Sequence, residues 1–453
     1  MAVGRENGTH GNGQLNGDNE HAIQYIPLSY DSTNSEDSAR RLVLAIRPDW
    51  ASSADANLQF VRFTDGITNT LLKAVNKRAG LSKHEVDSEA ILLRAYGTGT
   101  DVLIDRHRET QNHELLMRHG LAPELLARFE NGMMYRFIQG AVTQPEDLRK
   151  PDIYRAVARR LAEWHATVPC IAGRTGHSRK GSRVDLSNLR SSSSLNGSSS
   201  ALDSALGDAE FQLALDGVAP GKPPPNVWTV MQKWIFALPT DTEEQRARQA
   251  ELQRELKSLV SELSQRPGLG VNGLVFAHCD LLSGNVIVLP KSQLATDKTS
   301  DPTVTFIDYE YATPSPAAFD LANHFAEWGG FDCDFSVLPT RTQRREFISE
   351  YIESYYTILR KRQPTNAKVA AVNKAAEVET LQQEVDQFRG VPGFYWGIWA
   401  LIQATISEID FDYASYAETR LGEYYAWREE VTGKREREGR ELPLRERRWA
   451  QEE

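Results

Sequence analysis

The chain's clearest pattern is apolar residues at helical spacing, interrupted by short β-branched runs. After Pro151, the residues Ile153, Val157, Leu161, Trp164 and Val168 recur every three or four positions and predict a helix from Asp152 to about Val168. Leu252, Leu256, Leu259 and Leu263 make a second stripe, in a helix over about 242–265. Other helices are expected from Ser35 towards Ile46, closed by Arg47, Pro48 and Asp49, and from about Arg106 to His119, ended by Gly120. More follow at 317–328 and near 341–362 and 373–389. The apolar segment AIQYIPLSY adds a strand, and LQFVRFTDGITNTLLKAV reads as a strand, a tight turn at Asp65 and Gly66, and a returning strand. AILLRAYG is a further strand, and FENGMMYRFIQG carries an Asn131-Gly132 hairpin, the strongest short turn signal in the sequence. Three runs, Leu274 to Ala277, Asn285 to Leu289 and Thr303 to Ile307, read as buried strands. Near the C-terminus, Trp396, Trp399 and Gln403 share one helical face.

The polar stretches divide the chain. Residues 1–21 hold too little apolar content to offset ordering entropy, and 172–205, which includes SSSSLNGSSS, has the composition of a flexible insertion. After Val431 a mixed-charge tail is expected to be a solvated helix or disordered. The layout is a disordered N-terminus (1–21), a first lobe (22–140), a second lobe (141–430) carrying the insertion, and a charged tail (431–453). A net charge of −10 over 453 residues argues against a general nucleic-acid binder, which needs a basic excess. Three scattered cysteines, Cys170, Cys279 and Cys333, give neither a disulfide framework nor zinc spacing, and favour a reducing compartment. No run approaches the ~18 apolar residues of a membrane span, and the start lacks a signal-peptide core, so a soluble, cytoplasmic protein is expected.

Candidate chemistry concentrates between 274 and 328. His278, Asp280 and Asn285 stand in an H-x-D-x4-N frame, and Asp308 follows in FID. In phosphoryl transfer a carboxylate held near the acceptor hydroxyl takes its proton, while magnesium, a hard cation, binds one or two protein oxygens plus phosphate oxygens. Asp280 suits the first task, Asn285 and Asp308 the second. The alternative is a hairpin whose Asp and Asn make ordinary turns. Arg94 in a strand and Glu109 in the next helix suit a phosphate-holding ion pair, or a plain surface pair. Backbone amides near Gly66, Thr68 and Asn69 are placed to cover phosphates, unless that turn is only a hairpin. A base could lie against the backbone near Phe137 and Ile138. The G-x-G-x-x-G run from Gly268 to Gly273 precedes a strand instead of following one, so it reads as a loop.

FTDGITNTLLKA, LLRAYG, the H-x-D-x4-N frame, FIDYEYA, FDLANHFAEW and YWGIWALIQATISEIDFDYASY together resemble the choline/ethanolamine kinase family, over about 60–170 and 226–430. The resemblance implies a two-lobed protein-kinase-like α/β (α+β) fold with a small β-rich N-lobe and a larger helical C-lobe. It implies ATP as co-substrate, Mg2+, and a small amino alcohol as the phosphate acceptor in phospholipid synthesis, and it leaves a homodimer open. By position, Asp280 would be the catalytic base, Asn285 and Asp308 the metal ligands, and Arg94 the phosphate binder oriented by Glu109. His278 and Asp320 would be structural, Asp320 bracing the catalytic loop. The cation pocket would be formed by Tyr311, Glu327, Trp328, Trp396, Trp399, Phe411 and Tyr416, since aromatic faces attract an ammonium. Leu281 and Leu282 after Asp280, and Asp332 where a choline enzyme would carry an aromatic, tilt the reading towards ethanolamine. Choline or dual use is the rival within the family, and an inactive kinase-like scaffold the rival outside it.

Overall fold

The computed structural model describes residues 23–52, 57–63, 69–97, 100, 103–170, 217–291, 301–407 and 409–453. The N-terminal 1–21, the Ser-rich 172–205 and the turn carrying Asp65, Gly66 and Thr68 lie outside the described residues.

Alternation along the early strands sets the first lobe. Strands β1 (Gln24–Ile26), β2 (Leu58–Phe63), β3 (Asn69–Asn76), β4 (Ile91–Tyr96), β5 (Leu125–Phe129) and β6 (Gly132–Arg136) form one sheet in the order β1-β5-β6-β4-β3-β2. Only β1, paired with β5, is parallel; the rest are antiparallel. In β4, Ile91, Leu93 and Ala95 point into a core shared with Ala39, Leu42 and Val43 of helix α1 (Ser35–Ile46). Leu92, Arg94 and Tyr96 therefore line the opposite face, over which α2 (Arg106–Arg118) passes. Gly132 sits where any Cβ would strike the Arg94 carbonyl and the Phe129 ring, so the hairpin at Asn131 closes tightly on β4.

The second lobe is helical. Its main helices are α3 (Pro151–Thr167), α4 (Val227–Phe236), α5 (Glu243–Leu263), α6 (Ala317–Ala326), α7 (Arg341–Arg362), α8 (Lys374–Phe388), α9 (Val391–Ile406), α10 (Tyr413–Val431) and α11 (Leu444–Ala450). Short strands β7 (Ala141–Val142), β8 (Val275–Ala277), β9 (Val286–Val288), β10 (Val304–Phe306) and β11 (Thr313–Ser315) lie among them. They form a β10-β9-β7 sheet and a β8-β11 pair. The predicted 341–362 and 373–389 helices agree with α7 and α8 to within a residue. Helices α9 and α10 pack closely because Gly393 and Gly397 face α10. A Cβ on Gly397 would lie 2.6 Å from Leu421 Cγ. No described helix is long and apolar enough to cross a membrane.

The charged tail differs from the expectation of a solvated segment. Helix α11 buries Arg445, Glu446 and Trp449. The Trp449 ring carries the Arg344 guanidinium 3.8 Å from its centroid, and its Nε1 donates to Asp386 Oδ1 at 2.7 Å. The reason is pairing: the tail's charges meet opposite charges on the lobe, so a mixed-charge run packs where composition alone suggests solvation.

Candidate active site

Strand β8 ends at Ala277, and the chain turns through His278 and Cys279 to Asp280, with Cys279 held at φ 63°. A left-handed backbone at a residue with a side chain is sparsely populated and persists only where its surroundings fix it. The fixing comes from α6. Asp320 Oδ2 accepts from the His278 amide at 3.0 Å and Oδ1 from the Cys279 amide at 2.8 Å. Asn323 Nδ2 donates to the Cys279 carbonyl at 3.0 Å, and His324 Nδ1 to the Leu281 carbonyl at 2.8 Å. These three residues stand at i, i+3 and i+4, so one helix face grips His278, Cys279 and Leu281 of the loop, on both sides of Asp280. Asp320 also accepts from His165 Nε2 at 3.0 Å, and His165 Nδ1 lies 2.8 Å from the Tyr351 hydroxyl. Burial alone would raise the Asp320 carboxyl; hydrogen bonding and charge from His165, with His278 and the Cys279 amide, bring it below the ordinary carboxylate range. His278 Nε2 meets the Ile307 carbonyl at 3.0 Å inside a cage of Trp164, Phe306 and Tyr309, and burial lowers it to about 4. Sequence reasoning named Asp320 but missed His165, Asn323 and His324 as partners of the loop. The i, i+3, i+4 spacing on α6 was the available signal.

Asp280 is buried and fixed by Asn285, whose Nδ2 donates to its carbonyl at 2.8 Å and to Oδ2 at 3.1 Å. Burial, then the charges of Asp308, Glu327 and Glu310, push the Asp280 carboxyl well above its ordinary value, against the Asn285 amide. Positive charge brought into the cleft would reverse that direction. Ile307 N donates to the Asn285 carbonyl at 3.0 Å, so Asp308 emerges next to Asn285, with its backbone at φ 63°. This donor set suits magnesium: the Asp308 side chain is 30% exposed, and among the described residues both hydrogen bonds of the Asn285 side chain use Nδ2, with Oδ1 as its oxygen donor. Among the described residues no group of three Asp, Glu, His or Cys side chains is placed to hold a metal ion by itself.

Arg94 crosses from β4 to this point. Its Nε lies 3.2 Å from Glu109 Oε1, its Nη1 bonds Asp308 Oδ1 at 2.8 Å, and its Nη2 bonds Glu310 Oε2. Burial alone would lower the guanidinium, but Asp308, Glu109 and Glu310 hold it well above its ordinary value. Arg106 Nη1 joins Glu109 at 3.0 Å and Glu310 at 3.3 Å, and Asn69 Nδ2 donates to Glu310 at 3.1 Å. The sequence reading gave Arg94 to phosphate; in the structure all three guanidinium nitrogens face carboxylates, so a phosphate reaches it by displacing one. Glu310, for which the sequence suggested no role, is central to the network. Phe137 donates its amide to Ala90 O at 3.0 Å, and its ring stacks on Phe63 beneath the Lys73 ammonium. Ile138 beside it is half-buried.

On the other side of Asp280 the expected aromatics meet. Trp399 Nε1 donates to the Tyr311 hydroxyl at 2.8 Å, Trp396 stands edge-on to both rings, and Tyr413 continues the row to Phe411 and Tyr416. Tyr413 was not singled out in the sequence. Glu327 pairs with Arg420 at 3.4 Å; burial pushes its carboxyl up and Arg420 opposes. Trp328 departs from the expectation. It packs on Tyr154 and Phe325, and its Nε1 reaches His324. One position along a tight 3-10 turn, its side chain diverges from Glu327 and enters the core. Asp332 is exposed, next to Phe331, whose ring meets Phe411 and Tyr416.

The family described as choline/ethanolamine kinase matches residues 60–425. Ethanolamine kinase 1 of Mus musculus is 31% identical over 405 residues, covering 87% of this chain and 90% of that protein. A probable ethanolamine kinase of Nematostella vectensis is 31% identical over 410 residues, covering 90% and 97%. The solved structure of a Plasmodium vivax ethanolamine kinase shares the fold, with a TM-score of 0.58 and 22% identity over 86% of this chain and 88% of that one. With a family match over most of its length and relatives at this identity, the chain belongs to the choline/ethanolamine kinase family.

Proposed function

We propose that this chain transfers the γ-phosphoryl group of ATP to the hydroxyl of ethanolamine, giving phosphoethanolamine. The observation that carries the reading is a buried Asp280 held by the Asn285 amide, which feels the charges of both Asp308 and Glu327 and acts in turn on Tyr311 of the Tyr311–Trp396–Trp399 cluster. The names of the mouse and sea-anemone relatives support the choice of ethanolamine. In this reading Asp280 accepts the hydroxyl proton as the substrate oxygen attacks. Asn285 holds Oδ2, which leaves Oδ1 to face the hydroxyl. Asp308 and Asn285 would hold magnesium, which would supply neutralisation of phosphate charge. The N-lobe residues Asn69, Arg94 and Glu109 fix the phosphate end, with Phe137 and Ile138 beside the base. The ammonium lies against the aromatic faces and the Glu327 carboxylate, whose oxygens suit the N–H donors of a primary amine.

Steady-state phosphorylation of ethanolamine and choline with ATP and magnesium tests the reading. A kcat/KM for ethanolamine at least about tenfold above that for choline is expected, the worth of one well-placed hydrogen bond to a charged group. Asp280→Asn is expected to lose about 100-fold or more in kcat with ATP binding retained. Equal or reversed substrate preference would move the assignment to choline or dual use, and no turnover with either would leave a scaffold.

A further inference from the structure

The family match ends at residue 425, yet the chain beyond it returns to the site. Arg420 of α10 divides its guanidinium between Glu327, at 3.4 Å from Nη2, and Glu423, at 3.6 Å from Nε. The second oxygen of Glu423 lies 3.4 Å from Arg445 Nε on α11. Arg445 Nη1 meets Glu446 Oε1 at 2.8 Å, and Glu446 Oε2 accepts from Arg389 Nε at 2.8 Å. Glu327, Arg420, Glu423, Arg445 and Glu446 alternate in sign, and none has a side chain more than 5% exposed.

We infer that α11 holds the amino-alcohol end of the site in shape through this buried relay, with Arg445 as a positioning residue; the inference rests on the assignment of Glu327 to the substrate ammonium. Glu423 stands three residues from Arg420 on the same helix, so it is always within reach. Because Arg445 occupies one oxygen of Glu423, Arg420 is left free to serve Glu327. Without that cation, Glu423 draws Arg420 wholly to itself, and Glu327 is left as a buried carboxylate with a weakened partner. The Arg420 guanidinium also lies 5.7 Å from the Tyr416 ring centroid, so its shift moves the aromatic wall too. The seat of α11 is built for this load: Trp449 under Arg344, and Arg448 Nε on the Leu338 carbonyl at 2.8 Å.

The test uses the full chain with Arg445→Gln, Arg445→Lys and Trp449→Phe, each checked for folding by thermal denaturation. Arg445→Gln is expected to raise KM for ethanolamine about tenfold, with kcat and KM for ATP within about twofold, as follows from loss of a charge-assisted contact away from the reacting atoms. Arg445→Lys, which restores the charge, is expected to recover part of that loss. Should Arg445→Gln fail to fold, Trp449→Phe still reads the relay. It removes the hydrogen bond to the Asp386 carboxylate and shrinks the ring under Arg344 and beside Arg445, and a two- to threefold rise in KM for ethanolamine alone is expected. Folded variants whose KM for ethanolamine is unchanged, or in which both KM values and kcat shift together, would overturn the relay while leaving the kinase reading intact. A wild-type chain that turns over no ethanolamine would overturn both.

Discussion

Asp320 accepts three hydrogen bonds: two from loop amides and one from His165. An amide in its place offers one accepting oxygen and turns two donors towards backbone N–H groups, so at least one buried donor goes unsatisfied, at a cost of about 1–3 kcal/mol. Asp320→Asn is expected to lower kcat at least about tenfold, with KM for ATP nearly unchanged, because it displaces the loop bearing Asp280 and not the nucleotide side. Steady-state kinetics beside a melting curve check it, and unchanged kcat in a folded variant would refute the bracing role. Asp280, Asn285 and Asp308 were legible as a group because the proposed phosphoryl transfer calls for those residue types at that spacing. The loop's other supports were not, because Asn323 and His324 bond backbone carbonyls, and a carbonyl leaves no mark on composition. Trp328 misled for the converse reason: an aromatic next to a site residue looks like the site until the turn's direction is known.

Helix α9 carries two tryptophans on one face, but their indole N–H groups reach different places. Trp396 Nε1 donates to Asn323 Oδ1 at 2.8 Å, and Asn323 in turn holds the Cys279 carbonyl. Trp399 reaches only Tyr311. Trp396→Phe is therefore expected to lower kcat several-fold as the loop loosens, and Trp399→Phe to raise KM for ethanolamine several-fold with kcat within about twofold, each the loss of roughly one hydrogen bond. Identical kinetic effects from the two variants would contradict this division. Long amphipathic helices were readable almost to the residue because burial on one side imposes a period. Helix α4 was missed because VWTVMQKWIF is apolar nearly all round and has no clean period, and β7 and β11, at two and three residues, are too short for any.

Across the whole molecule, folding keeps three histidines neutral. Burial lowers His113, His278 and His324 to about 4. An unfolded histidine titrates near about 6.5, so between pH ~6.5 and ~4 the unfolded chain binds protons that the folded chain refuses. Stability is complete above that window and falls as pH drops through it, by up to about 1.4 kcal/mol per unit for each histidine. The raised carboxyls of Asp280 and Glu327 act in the opposite direction on overall stability, so the check is NMR titration of the rings themselves: the three are expected to stay neutral down to about pH 5, and a ring that charges near about 6.5 would contradict its burial. The early sheet and the late helices were legible separately, but their joining was not, because it depends on side chains more than 200 residues apart in sequence. Asn69, Arg94, Arg106, Arg108 and Asn112 all reach from the first lobe to residues 308–313, and Leu116 of α2 lies inside the second lobe's core. The second lobe's core thus takes in Leu103, Ile104, Leu116 and Leu121 from the first, while the first lobe keeps a separate core between its sheet and α1. Heated in a calorimeter, the protein is expected to show one transition with matching van't Hoff and calorimetric enthalpies, so that two lobes by shape count as one cooperative unit; two resolved transitions would contradict it.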